Sequence, residues 1–182
     1  VRDLVAAAGL DAEVSSLGDG TVRLAVGTRC AVDLLLAEDD VRAGEAALDG
    51  DDPERALALV TPWIERLQQP FLPSGDGDWV RSQQHRVAQV ARRAVLVRIE
   101  ALRAAERPDL ASEAAASWIH RNPIDEGVHE QLIGALLDDG RRGDALDAYR
   151  RLAELLADEL GIGPSQAVAS MVGGTRPSLS EP

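Results

Sequence analysis

Shifting the 182-residue chain against itself by 34 residues brings Ile99 onto Ile133, Leu102 onto Leu136, Ala111 onto Ala145, Ala115 onto Tyr149 and Trp118 onto Leu152. The match falls in segments with helical apolar spacing. It confines the region to stacked helical hairpins, because a single hairpin cannot bury its own apolar face. The residue types suit that geometry. Ala111 and Ala145 stand where two helices approach closely, Trp118, Leu136 and Tyr149 fill wider gaps, and Gly140 lies at the turn between paired helices. If Tyr149 is core, Tyr149→Ala costs about 3–5 kcal/mol. Residues around Ala56 and Trp63 align as an earlier, looser unit, separated by a loop inserted before Asp78.

Thirty-four residues is the period of a tetratricopeptide repeat. The expected fold is therefore mainly α: a tetratricopeptide-like right-handed helical-hairpin solenoid with a short N-terminal β-hairpin. Composition points the same way, since 45% of residues are hydrophobic but only 3% aromatic, so the core must be built from Ala, Leu and Val. Asp33 is a plausible N-cap for a helix stopping near Gly50, and Pro53 opens the next. Residues 69–77, with two prolines and two glycines, read as a loop. A long helix follows from about Asp78 to Glu106. Pro108 begins another that ends before Asn122-Pro123, Asp125 opens the next, and residues 142–160 form one that stops at Gly161. A short helix follows Pro164, and residues 173–182 read as a disordered tail.

The first 30 residues differ. Residues 1–8 read as the end of a helix closed at Gly9. Residues 13–17 and 21–26 read as two strands around Gly18-Asp19-Gly20, with Val22, Leu24 and Val26 in the alternation of a half-buried strand. Helix followed by hairpin is how a winged-helix DNA-binding domain ends. On that reading residues 1–30 close such a domain, residues 31–172 form the helical domain, and Arg2 and Arg23 are candidate DNA contacts. The competing reading makes Arg23 an exposed arginine on a capping hairpin. The chain opens at Val1 in mid-pattern, the expectation for a segment of a longer protein.

A net charge of −12 argues against polyanion binding by this stretch alone, so any DNA contact is local. All 19 basic residues are arginine, a bias that reflects GC-rich codons. Arg81, Arg86, Arg92, Arg93 and Arg98 lie on the long helix, where a salt-bridged, solvated face is expected ahead of a nucleic-acid surface. The lone Cys30 excludes an internal disulfide and reads as a small buried residue. With no signal peptide and no long apolar run, a cytoplasmic protein is expected.

Nothing points to catalysis. His85, His120 and His129 lack metal-ligand spacing. Gly161-Ile162-Gly163-Pro164 has neither a preceding strand nor a lysine and is a helix stop rather than a phosphate loop. Asp39-Asp40, Asp49, Asp51-Asp52 and Asp138-Asp139 fall at helix ends or on solvated faces. No enzyme activity, cofactor or metal is expected.

Three stretches resemble the bacterial transcriptional activator domain of actinobacterial antibiotic-pathway regulators. They are Ala31-Val32-Asp33-Leu34 after the hairpin, Phe71-Leu72-Pro73 with Trp79-Val80-Arg81, and the run from Gly140 through Ala145, Tyr149 and Leu152 to Gly161-Ile162-Gly163-Pro164. The resemblance spans about residues 32–172 and implies a helical module downstream of an OmpR-type winged helix. It also implies promoter DNA as the full-length partner and contact with RNA polymerase, while the helical hairpins themselves offer a protein-binding surface on which a second copy could dock as a homodimer. Leu34-Leu35-Leu36 lacks the aromatic residue often found after the family's "VD". The alternative is a free-standing tetratricopeptide adaptor that binds no DNA.

Overall fold

The computed structural model describes residues 9, 11–18, 20–27 and 31–173. Arg2, Cys30, the helix expected before Gly9 and the tail after Gly173 lie outside the described residues. The chain divides into two compact units, Val1–Asp39 and Asp40–Pro182.

In the first unit, β1 (Ala12–Ser16) and β2 (Val22–Val26) pair antiparallel, with Val14 opposite Leu24 and Ser15 opposite Arg23. The Leu17 N–H closes the turn on the Thr21 carbonyl at 3.0 Å. The expected hairpin is present, but β2 is not half-buried: Val22, Leu24 and Val26 are 62%, 55% and 44% exposed. Two strands carry no opposing layer of their own, so alternation fixes which side chains share a face without covering that face.

α1 (Asp33–Asp49) begins in the first unit and ends in the second, which also holds α2 (Pro53–Leu67), α3 (Asp78–Ala104), α4 (Pro108–Ile119), α5 (Glu126–Asp138), α6 (Arg142–Leu160) and α7 (Gln166–Gly173). Proline opens α2 and α4, where its missing N–H costs nothing. Asp52 caps α2 by accepting from the Arg55 N–H at 3.1 Å. α3 packs on α2, α4 and α5, and α5 packs on α4, α6 and α7, the neighbour-to-neighbour stacking of a solenoid.

The three hairpin turns are built alike. Asp51, Glu106 and Gly140 adopt left-handed φ values of 59°, 56° and 73°. The residue after each donates its N–H back across the turn, from Asp52 to Ala47, Arg107 to Leu102 and Arg141 to Leu136, each at 2.8 Å. That is the six-residue closure of a Schellman turn. The first two turns are 55 residues apart and the last two 34, so the loose first repeat is a full one displaced by 21 extra residues. At those intervals Ala56, Ala111 and Ala145 correspond and are each fully buried, as do Trp63, Trp118 and Leu152, none more than 7% exposed. Ile99, Ile133 and Ala115 are also fully buried, and Leu102 and Leu136 nearly so.

Ile133, Leu136, Ala145, Ala148, Leu152, Leu156 and Val168 form the C-terminal core cluster. Tyr149 is only partly buried against it, because its position on α6 lies at the edge of the cluster.

Candidate protein-binding groove

α3 is 27 residues long and α5 is 13, so the N-terminal half of α3 extends beyond the helix stacked on it. Along that extension run two adjoining recesses that share Ala88. The larger, about 690 Å³, lies among His85, Gln89 and Arg92 of α3, Trp118 of α4, residues 121–125, and Leu155 and Glu159 of α6. The smaller, about 260 Å³, is bounded by Leu67, Pro70, Phe71, Pro73, Gln84 and Val87. Together they make an open trough with an apolar floor and with Gln84, Gln89 and Asn122 at its edges. Such a surface suits the apolar side chains of a polypeptide partner.

One charged node fixes the trough's geometry. Arg92 grips Asp125 with two bonds, Nε to Oδ2 at 2.8 Å and Nη2 to Oδ1 at 2.9 Å, and the Trp118 indole N–H donates to the same Oδ2 at 2.9 Å. The Asp125 side chain is 11% exposed, against 43% for Arg92. Burial alone would push the Asp125 carboxyl up. The bonds from Arg92 and Trp118 and the guanidinium charge outweigh burial and hold it below the usual carboxylate range. The Arg92 guanidinium is raised by the same pairing, against the opposing effect of its own desolvation. Asp125 precedes α5 as expected, and the Val128 backbone N–H in the first turn of that helix adds to the lowering of its carboxyl.

Other charges expected to be solvated are also engaged. Asp40 accepts from the Trp63 indole at 2.7 Å, so the equivalent tryptophans of two repeats each donate to a carboxylate. Asp138 pairs with Arg103 at 2.7 Å, Asp139 lies 3.8 Å from Arg141, and Glu45 takes two bonds from Arg93. Arg103 also bonds Gln131 at 2.8 Å, and its guanidinium lies so close over Gly134 that a Cβ there would come within 2.8 Å. The salt-bridged face expected on α3 is seen at Arg81, Arg92 and Arg93, each paired with an acidic residue. Arg81 binds Asp76 and Asp78.

His129 is buried with Nε2 2.8 Å from the Pro123 carbonyl, while exposed His85 bonds Gln89 at 2.7 Å. Gly161 ends α6 in the left-handed conformation. No group of three or more His, Cys, Asp or Glu side chains among the described residues could hold a metal ion. No helix among them is long and apolar enough to cross a membrane. Arg23 sits exposed in the middle of β2, far along the sequence from the groove residues, and Gly140 stands exposed at its turn.

The chain is 29% identical over 164 residues to the regulatory protein AfsR of Streptomyces griseus, covering 90% of this chain and 16% of that protein. With the Streptomyces coelicolor AfsR it shares 31% over 153 residues, 83% of this chain and 15% of that one. It therefore spans about one-sixth of the length of these curated relatives. Among solved structures, Mycobacterium tuberculosis EmbR in complex with a low-affinity phosphopeptide superposes with a TM-score of 0.81 at 24% identity, over 94% of this chain and 46% of that one, a likeness of fold. Residues 32–173, from just after the hairpin to the end of α7, match the bacterial transcriptional activator domain, a family of regulator modules and not a class of enzyme, and it is to this family that the chain belongs.

Proposed function

We propose that the chain is the wing and activator portion of a DNA-binding transcriptional regulator that acts in the cytoplasm. Residues 1–30 would close a winged helix, with Arg23 on the wing and Arg2 at the preceding helix reaching promoter phosphates. The helical repeats serve as a docking surface for RNA polymerase, and a second copy binds along the same solenoid. The observation that carries this reading is the family match over residues 32–173, which begins six residues after a hairpin that presents Arg23. It favours a regulator over a free-standing adaptor. The acidic charge of −12 leaves DNA affinity to a few local arginines.

The test uses the full-length regulator on its promoter. Arg23→Ala should weaken binding to all sequences alike and lower the slope of log affinity against log salt by about one. Ile124→Asp alters a half-exposed residue in the trough. It should leave DNA affinity unchanged while reducing activated transcription in a purified system. Unchanged affinity and slope for Arg23→Ala would remove the wing from the reading. Full activation by Ile124→Asp would remove the trough.

A further inference from the structure

Beside the trough, the loop before α3 carries a second surface. Trp79, in the first turn of α3, is 64% exposed, and Leu72 in the preceding loop is 47% exposed. An exposed tryptophan on a free side chain needs no explanation, but this one is held. Phe71 meets its ring edge-on with centroids 6.4 Å apart. Gln84 fixes the loop beneath by donating to the carbonyls of Phe71, at 3.1 Å, and Leu72, at 3.3 Å. Leu72 adopts φ 44°, a left-handed conformation that a leucine avoids unless its surroundings impose it. The Gly75 N–H closes the turn on the Leu72 carbonyl at 2.9 Å. The loop is thus braced in a form that turns apolar side chains toward water.

The rim is net acidic. Asp76 and Asp78 have side chains 95% and 100% exposed, and they share the single cation Arg81. One negative charge is left over, on a chain already at −12. Nucleic acid is repelled by this rim, and so is a second acidic copy. Rigid aromatic anchors bordered by charge are the usual centre of a protein interface.

We propose that Leu72 and Trp79, propped by Phe71 and rimmed by Asp76 and Asp78, dock a protein partner whose contact surface combines apolar side chains with lysine or arginine. The surface adjoins the smaller recess of the trough through Phe71 and Gln84 and is independent of the DNA reading.

The test titrates the full chain with a synthetic amphipathic helical peptide of leucine and arginine, and with a control in which glutamate replaces arginine. Trp63 and Trp118 are buried, so acrylamide quenching reports chiefly on Trp79. The arginine peptide should shift the emission to the blue and lower the quenching constant at least twofold, saturably. Asp76→Asn with Asp78→Asn should weaken binding about tenfold. Removing two carboxylates elsewhere, Glu113→Gln with Glu154→Gln, should change it less than twofold. Trp79→Phe keeps the fold and loses the signal, which assigns it. The proposal is overturned if Trp79 stays fully quenchable, if the glutamate peptide binds as well, or if both double variants weaken binding equally. It is also overturned if raising the concentration of the chain alone shields Trp79, for then the occupant is a second copy.

Discussion

Replacing Asp125 by alanine removes one carboxylate that serves two donors on two other helices. The Arg92 guanidinium loses both its bonds, but at 43% exposure it regains water, so this loss is about 1–2 kcal/mol. The Trp118 indole belongs to a side chain only 7% exposed, and an N–H left unpaired there costs about 1–2 kcal/mol more. The sum, about 2–4 kcal/mol, is a large part of the 5–15 kcal/mol that holds a typical domain folded. With a urea dependence of about 2 kcal/mol per molar for a chain of this size, the midpoint followed by helical circular dichroism should fall by about 1–2 M. Trp118→Phe deletes the N–H while keeping a ring, so in a double-mutant cycle its cost should shrink by about 1 kcal/mol when Asp125 is already alanine. Additive costs would refute the shared-carboxylate argument. So would a midpoint shift for Asp125→Ala below about 0.3 M. The pH dependence supplies a second check. A depressed carboxyl stabilises the fold at every pH above its unfolded value, and that contribution is lost as pH falls through the lower folded value. The stability gap between wild type and Asp125→Asn should therefore narrow below about pH 4. Arg92 is raised instead, so its share persists through the ordinary guanidinium range and is lost only in stronger alkali.

Three further predictions concern the repeats. Glu106→Gly should stabilise the chain by up to about 1 kcal/mol in thermal unfolding, since glycine relieves the left-handed strain and gives back part of the gain in unfolded-state entropy; Gly140→Ala should cost about 1 kcal/mol. Tyr149→Ala should cost about 1–2 kcal/mol, the value for a half-buried ring and not the 3–5 of a core position, while Leu152→Ala costs about 2–5; equal losses would contradict the placement of Tyr149 at the cluster's edge. Gly134→Ala gains about 1 kcal/mol of helix propensity but displaces Arg103 from Gln131 and Asp138, so the net change should be near zero and Arg103→Ala should become almost silent in its background.

The helical hairpins were legible in the sequence because buried positions repeat in kind: Ala111 and Ala145, Ile99 and Ile133, each pair fully buried. The first repeat was blurred for a specific reason. Its turn and the next place Asp51 and Glu106 where Gly140 stands in the third, so the glycine that marks a left-handed turn is missing from two of three. The period is also interrupted by the loop before α3. The node in the trough was hidden more thoroughly. Arg92 and Asp125 are 33 residues apart, and an aspartate just ahead of a helix announces the helix start, not the pairing with Arg92 and Trp118. Nothing in the sequence around Asp40 and Asp138 marks them as paired, because only tertiary packing brings Trp63 and Arg103 to them. Exposure of β2 could not be read from alternation, which specifies a face and not what covers it.

The unequal lengths of α3 and α5 divide one continuous helix into two kinds of ground. At 1.5 Å per residue α3 is about 40 Å long and α5 about 20 Å. From Val90 onward α3 buries Val90, Ala91, Ala94, Val95, Val97, Ile99, Ala101 and Leu102, but its first twelve residues bury only Val80. Amide hydrogens should therefore exchange in two tiers along the same helix, with fast local openings up to about residue 89 and slow, near-global ones beyond. A partner that settles on the early turns would be read as slowed exchange there, while the clasped half keeps its rate. The helix thus offers a surface that can order or fray without unfastening the repeats behind it.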